Sequence, residues 1–332
     1  MAQLHVIFAG PLVTFQDAGR AGNLRYGVPP SGPMDRVAFE AAQMALGNGP
    51  GGACIEVSLG GLILECRDGA VSFVVAGGDF SVTCGGADLT SWQVHTLHAG
   101  EKLVIRGGAS GSWCYLAFAG ATQVPRWLGS SATHYLSGLG GGAVQTGQML
   151  HVDGAEMRPD RAGAFAPPPA DSGPIRVGVG PQEAQFPEAT LQAFLGEEFH
   201  LTDAFDRMGA RLDGPKLAMS DALSIPSEPI MRGSVQVNGD GVPTVLLADH
   251  QTTGGYPKIA TLLDADTDRL AQMRSGDAVR FVAVSSEEAV QIARDVAAER
   301  AAYLDALKAP RPSLTEALLR ENLIGGVVSA ES

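Results

Sequence analysis

At 332 residues, with 45% hydrophobic and 18% charged side chains, the chain has material for two globular domains and is not a disordered polypeptide. A net charge of −13 without any run of Lys or Arg excludes a nucleic-acid surface and a polybasic contact with lipid. No apolar stretch approaches the roughly 18 residues of a membrane-spanning helix, and Met1-Ala2-Gln3-Leu4-His5 lacks the basic and apolar regions of a signal peptide, so a cytoplasmic chain is expected.

Glycine and proline, 43 and 20 residues, punctuate short Val/Ile/Leu/Phe-rich runs, and this predicts a mainly β (α+β) architecture. In chain order, strands are expected at 5–8, 55–57, 62–64, 71–75, 103–105, 114–118, 175–179, 245–248 and 279–284. A first helix is expected after Ser31-Gly32-Pro33, with Ser31 as its cap and Pro33 in its first turn, ending at Gly47-Asn48. A second lies near 187–195 and is closed by Gly196. A third starts at the capping box Ser285-Ser286-Glu287-Glu288 and runs toward Leu307. Its stripe of Val290, Ala293, Val296 and Ala297 is expected to dock on a barrel, leaving Glu288, Arg294 and Glu299 in water.

The stretch from Arg158-Pro159 through Pro167-Pro168-Pro169 to Gly173-Pro174 reads as a linker. A faint repeat flanks it: Ile7-Phe8-Ala9-Gly10-Pro11 is similar to Val177-Gly178-Val179-Gly180-Pro181, and Gly100-Glu101-Lys102-Leu103-Val104-Ile105 to Gly276-Asp277-Ala278-Val279-Arg280-Phe281. The repeat favours two tandem barrel-like units over one large sheet. The expected organisation is an N-terminal barrel unit with a bridging segment over 1–157, the linker over 158–174, a second barrel over 175–285 and a helical tail over 286–332.

Cys54, Cys66, Cys84 and Cys114 have no C-x-x-C spacing and sit in strand-like sequence, as buried free thiols do. His95-Thr96-Leu97-His98 lacks a third ligand, so no metal is expected. There is no phosphate-binding P-loop, no complete dinucleotide fingerprint and no G-x-S-x-G elbow.

The densest functional segment follows the apolar run Val245-Leu246-Leu247-Ala248: Asp249-His250-Gln251-Thr252-Thr253-Gly254-Gly255-Tyr256-Pro257-Lys258. Polar groups gathered where a strand ends point to a site, and a glycine pair admits close backbone approach or positive φ. Three further clusters carry possible chemistry. In Gln16-Asp17-Ala18-Gly19-Arg20, followed by Ser31-Gly32-Pro33-Met34-Asp35, the Asp17 and Arg20 pair is either a surface ion pair or a carboxylate-binding fork with its positioner. In Asp206-Arg207-Met208-Gly209-Ala210-Arg211-Leu212-Asp213, the arginines either bind a ligand or are neutralised by Asp206 and Asp213. The turn Leu128-Gly129-Ser130-Ser131-Ala132-Thr133-His134 reads as turn-forming.

Together, Thr14-x-Gln16-Asp17-x-Gly19-Arg20-x-Gly22, Gly27-Val28-Pro29-x-Ser31-Gly32-x-x-Asp35, Leu128-Gly129-Ser130, Asp206-Arg207-Met208-Gly209-x-Arg211-Leu212-x-Gly214 and Gln251 through Lys258 carry a resemblance. Over about residues 5 to 285 the chain closely resembles the biotin-dependent carboxyltransferase family that includes allophanate hydrolase subunit 2 and the C component of 5-oxoprolinase. The resemblance implies cyclophilin-like β-barrel units and a companion chain similar to allophanate hydrolase subunit 1 or to the B component of 5-oxoprolinase. It implies a subunit of an ATP-dependent hydrolase acting on a small-molecule amide or lactam such as 5-oxoproline, with ATP used by the complex. One alternative is carboxyl transfer from carboxybiotin on a separate carrier to a urea-like nitrogen. Another is a non-catalytic module that binds a histidine kinase. The expected catalytic residues are Lys258, Tyr256 and either Asp17 or Asp249. The expected substrate contacts are Gln16, Arg20, Ser31, Arg207, Arg211, Gln251, Thr252, Thr253, Gly254 and Gly255. The chain departs from the family pattern at Trp113, where an arginine is usual beside the Tyr-Leu-Ala strand, and at Phe205, where serine is usual before Asp206.

Overall fold

A computed structural model describes residues 1–49, 51–220 and 225–310; the expected tail beyond 310 lies outside them. Three large sheets dominate. A seven-stranded and a six-stranded sheet, drawn from residues 2–164, enclose one core in which alternate residues of Ala2–Ala9 (Ala2, Leu4, Val6) meet Leu62, Leu64, Phe73, Leu103 and Leu116. This period-two burial is what the sequence alternation demands of a half-buried strand.

The third sheet has eight strands in the order Ala278–Val279, Phe199–Phe205, Gly209–Asp213, Pro243–Leu246, Ser234–Val237, Lys258–Leu262, Ile175–Val179 and Phe281–Ala283. Its two edge strands are consecutive pieces of one run, split at Arg280, so the sheet returns on itself. The expected single strand 279–284 is therefore two strands serving opposite edges. The sheets curl into a half-barrel and a nearly closed barrel, and closure removes the exposed edges that would otherwise pair with other chains.

Helix α1 (Arg36–Leu46) ends at Gly47, as expected, with φ of 72°. Its cap differs from the expectation. Ser31 has φ of 52° and cannot take the extended cap conformation, whereas Asp35 is extended and accepts from Ala38 N at 3.0 Å. Helix α2 (Glu188–Gly196) falls near its expected place. Helix α3 (Asp264–Ala271) has no counterpart in the sequence reading. Helix α4 (Ser286–Lys308) starts at the expected capping box, with Ser285 and Glu288 exchanging hydrogen bonds of 2.8 and 3.2 Å.

The stripe that α4 half-buries is Ala289, Ile292, Val296, Arg300 and Tyr303; of the expected stripe, Val290, Ala293 and Ala297 are exposed. The helix packs on α1 and α3, with Arg300 paired to Glu40 at 2.6 Å, and this contact sets its rotation. Within the stretch expected as a linker, Gly163–Ala164 pairs with Gln93–His98, and Phe165 packs edge-to-face on Trp92 at 5.8 Å. His95 and His98 lie in that strand, three residues apart and so on opposite faces. All four cysteines are buried and free.

The first and second units are bolted together by polar contacts. Asp268 receives Arg36 at 3.1 Å and Arg232 at 2.6 Å. Gln272 takes Ser112 N and Trp113 N at 3.0 and 3.1 Å while donating to Asp35 at 2.8 Å. The guanidinium of Arg274 caps the carbonyls of Gly108 and Gly111.

Candidate functional site

The hairpin between Phe199–Phe205 and Gly209–Asp213 turns at Asp206-Arg207-Met208, and the Asp206 carboxylate fixes that turn by accepting from Met208 N at 2.7 Å and Gly209 N at 3.2 Å. Asp206 is thus a turn former and does not neutralise Arg207. Arg207 points inward instead and is 1% exposed. It donates to both oxygens of Asp249, at 3.0 and 3.1 Å, to Glu56 and to Gly32 O at 2.8 Å. Asp249 also accepts from Tyr135 N at 3.0 Å, and Glu56 accepts from Tyr115 Oη and Met34 N. Glu56, Gly32 and Tyr135 belong to the first unit, Arg207 and Asp249 to the second, so the pair is an internal lock between them. Burial alone would raise the Asp249 carboxyl, but Arg207 beside it holds it below the usual carboxylate range.

A second buried cluster adjoins the lock. The oxygens of Asp17 accept from Gly19 N, Ser130 Oγ, Ser131 N and Ala132 N at 2.6 to 3.2 Å, which anchors the hydroxyl-rich turn. Arg20 donates through Nη2 to Ala132 O and lies over the Trp127 ring at 5.1 Å, and among the described residues no ion pair includes it. Its Nε and Nη1 are buried without partners, as are Gln16 Oε1 and Ser131 Oγ. Ser31 is buried beside Asp249.

On the other side of the turn lies a cleft of ≈ 530 Å³ lined by residues including Asp203, Phe205, Asp206, Met208, Arg211, Gln236, Asn238, Leu246, Gln251 and Tyr256. Of the expected site residues, Arg211, Gln251 and Tyr256 meet here. Arg211 is exposed and has no ion-pair partner among the described residues. The Tyr256 phenol is 47% exposed. The amide nitrogen of Gln236 is buried at the wall and has no acceptor. Cleft and lock lie back to back, since Asp206 and Met208 line one while Arg207 between them serves the other.

Asp17, Asp249, Gln16, Arg20, Ser31 and Arg207 are not brought to this cleft. Nor is Lys258, which is 4% exposed, with Nζ 3.4 Å from both the Glu228 carboxylate and Pro229 O. It lies under a small flap in which Glu228–Pro229 pairs with Thr253–Gly254. Thr252 O accepts from Ile230 N and Gly255 O from Ile225 N, so the glycine segment carries that flap. Gly254 and Gly255 do not have positive φ. Gly254 is needed for close approach, because a Cβ there would collide with Gln236 Nε2.

A family model described as the carboxyltransferase domain, subdomain A and B, matches residues 26–283. The chain belongs to that family. The C component of 5-oxoprolinase from Haemophilus influenzae is 33% identical over 89% of this chain and 94% of that protein. The component of the same name from Escherichia coli is 33% identical over 88% of this chain and 94% of its own length. Among solved structures, the K. lactis urea amidolyase matches with a TM-score of 0.81 at 25% identity, covering 95% of this chain and 20% of that one.

Within this carboxyltransferase-domain chain, the two departures at Trp113 and Phe205 meet edge-to-face at 6.2 Å, and Phe205 forms part of the cleft wall. They act as one substitution: an aromatic pair has replaced polar groups. Gln236 and Asn238 escaped the sequence reading, although a signal existed. Val235 and Val237 pack in the core, so the glutamine between them faces the other side of the sheet.

Proposed function

We propose that the chain is one subunit of an ATP-dependent amide-opening hydrolase, of the kind that forms the C component of 5-oxoprolinase, acting on 5-oxoproline or a similar cyclic amide. The observation that carries this reading is the end-to-end match to two proteins of that name, each covered over 94% of its length. The cleft supports it. Arg211, Gln236 Nε2 and the Tyr256 hydroxyl supply donors that a planar N–C=O group can use, against the apolar walls of Phe205, Met208 and Leu246. One preorganised donor to a developing oxyanion is worth about 3 to 4 kcal/mol. Asp203, which lines the same cleft, is placed to accept a proton.

The half-exposed Tyr256 and exposed Arg211 leave the cleft to be completed by a companion chain resembling allophanate hydrolase subunit 1 or the B component of 5-oxoprolinase. The lining sets a single cation, Arg211, against Asp203 and Asp206, which does not fit a polyphosphate. ATP use therefore belongs to the complex, in the cytoplasm. The second reading, carboxyl transfer to a urea-like nitrogen from carboxybiotin on a separate carrier, draws on the likeness to the urea amidolyase structure. A ureido group presents the same planar N–C=O as a lactam.

The test is made on the chain reconstituted with its companion. Arg211→Gln and Gln236→Leu are expected to lower kcat/KM for 5-oxoproline by about 10²-fold or more while melting stays unchanged, since each removes a donor to the reacting carbonyl. Unaltered kinetics in both variants would remove the cleft from the reaction.

A further inference from the structure

The Arg20 guanidinium is an unmet fork. It is 3% exposed, only its Nη2 has an acceptor, and Nε and Nη1 face no protein oxygen. Two carboxylates lie near, yet both are spent elsewhere. Asp17 holds the 130–132 turn with four hydrogen bonds, and Asp249 is engaged by Arg207 and Tyr135 N. Buried donors without partners are rare in folded proteins, and a charged one is the costliest kind. The surroundings are matched to a ligand with both lone pairs and a hydroxyl: Ser131 Oγ can donate and Gln16 Oε1 can accept, and neither has a partner. Trp127 covers one face of the guanidinium and leaves its edge available. Backbone closes the space tightly, since a Cβ on Gly140 would collide with Ala132 O and come within 3.0 Å of Arg20 Nη2. Only a small group fits.

We propose that Arg20, with Ser131 and Gln16, forms a binding site in the first unit for a planar carboxylate-type anion, separate from the cleft of the second unit. Nε and Nη1 grip two oxygens of the anion side by side, the geometry in which arginine surpasses lysine. The anion is either free bicarbonate or the carboxylate of a lactam acid. The inference stands apart from the proposed reaction: a failure of lactam turnover leaves it intact, and its own failure leaves the cleft intact.

The experiment measures binding to the full chain, by calorimetry and by the rise in melting temperature, with sodium bicarbonate, 5-oxoproline and the neutral lactam 2-pyrrolidinone. At least one of the two anions is expected to bind about tenfold or more tightly than 2-pyrrolidinone, in keeping with a charged, two-pronged hydrogen bond. Arg20→Gln should abolish that preference while melting at or above the wild-type temperature, because a buried unmet cation is gone. Arg20→Lys should keep the fold and lose most of the preference, and Arg211→Gln should leave it unaltered. Preference for bicarbonate alone or for 5-oxoproline alone identifies the anion, and either supports the site. Equal binding of anions and neutral lactam to the wild type, an undiminished preference in Arg20→Gln and Arg20→Lys, or loss of the preference in Arg211→Gln would overturn it. A wild type that no anion stabilises would show an ordered water in the fork and overturn it as well.

Discussion

Arg207 holds Asp249 in a two-pronged grip, Nε to Oδ2 at 3.0 Å and Nη2 to Oδ1 at 3.1 Å, with both side chains out of contact with solvent. Removing one member strands the other charge in the interior. Arg207→Met and Asp249→Asn are each expected to cost about 3 to 5 kcal/mol in denaturant unfolding of the full chain. A base in the reaction would behave oppositely, with turnover lost and stability kept.

The pH dependence of stability separates two carboxyls of opposite sign. Asp249, held low by Arg207 despite burial, contributes stability that is present above its unfolded pKa and lost as pH falls through its folded one. Asp35 is the reverse: burial, and then the nearby Asp268, push it up to about 6. Its folded state favours the proton, so its ionisation lowers stability as pH rises from about 4 to about 6. Asp35→Asn is expected to flatten that limb of the profile. The variant should also carry a constant penalty, because the Gln272 amide that donates to Asp35 is held in place by Ser112 N and Trp113 N and cannot turn around. An identical wild-type and variant slope between about pH 4 and about pH 6 would contradict the assignment.

Lys258→Met tests a residue that sequence reasoning placed in the chemistry and the structure places beneath the flap. Loss of its long contacts to Glu228 and Pro229 O should cost about 1 kcal/mol. Turnover of the reconstituted complex should change by less than about tenfold, since a donor to the reacting carbonyl is worth more than that. A loss of about 10²-fold with intact melting would return Lys258 to the reaction.

Local signals account for what was legible and long-range ones for what was not. The strand carrying Leu4 and Val6 declares itself by alternation, and α4 by the Ser285 and Glu288 box, because those patterns act within a few residues. Helix α3 hides behind Asp264, Asp266 and Asp268, whose partners Arg36, Arg176 and Arg232 come from distant segments. The same distance concealed the role of Asp249: a carboxylate beside a histidine and a glycine pair reads as chemistry until Arg207 is seen to occupy it. Asp17 was legible as a functional-looking group and not as the anchor of residues 130–132, more than a hundred positions away. The cleft was visible in part through Arg211, Gln251 and Tyr256, whereas Gln236 needed the sheet to show which way it points.

The most direct measurement is ATP-dependent release of glutamate from 5-oxoproline by the purified chain, by its companion and by the two mixed. The expected result is turnover that rises on mixing and saturates with the companion, with little from this chain alone. Robust turnover by the isolated chain, or a mixture that carboxylates urea and leaves 5-oxoproline untouched, would contradict it.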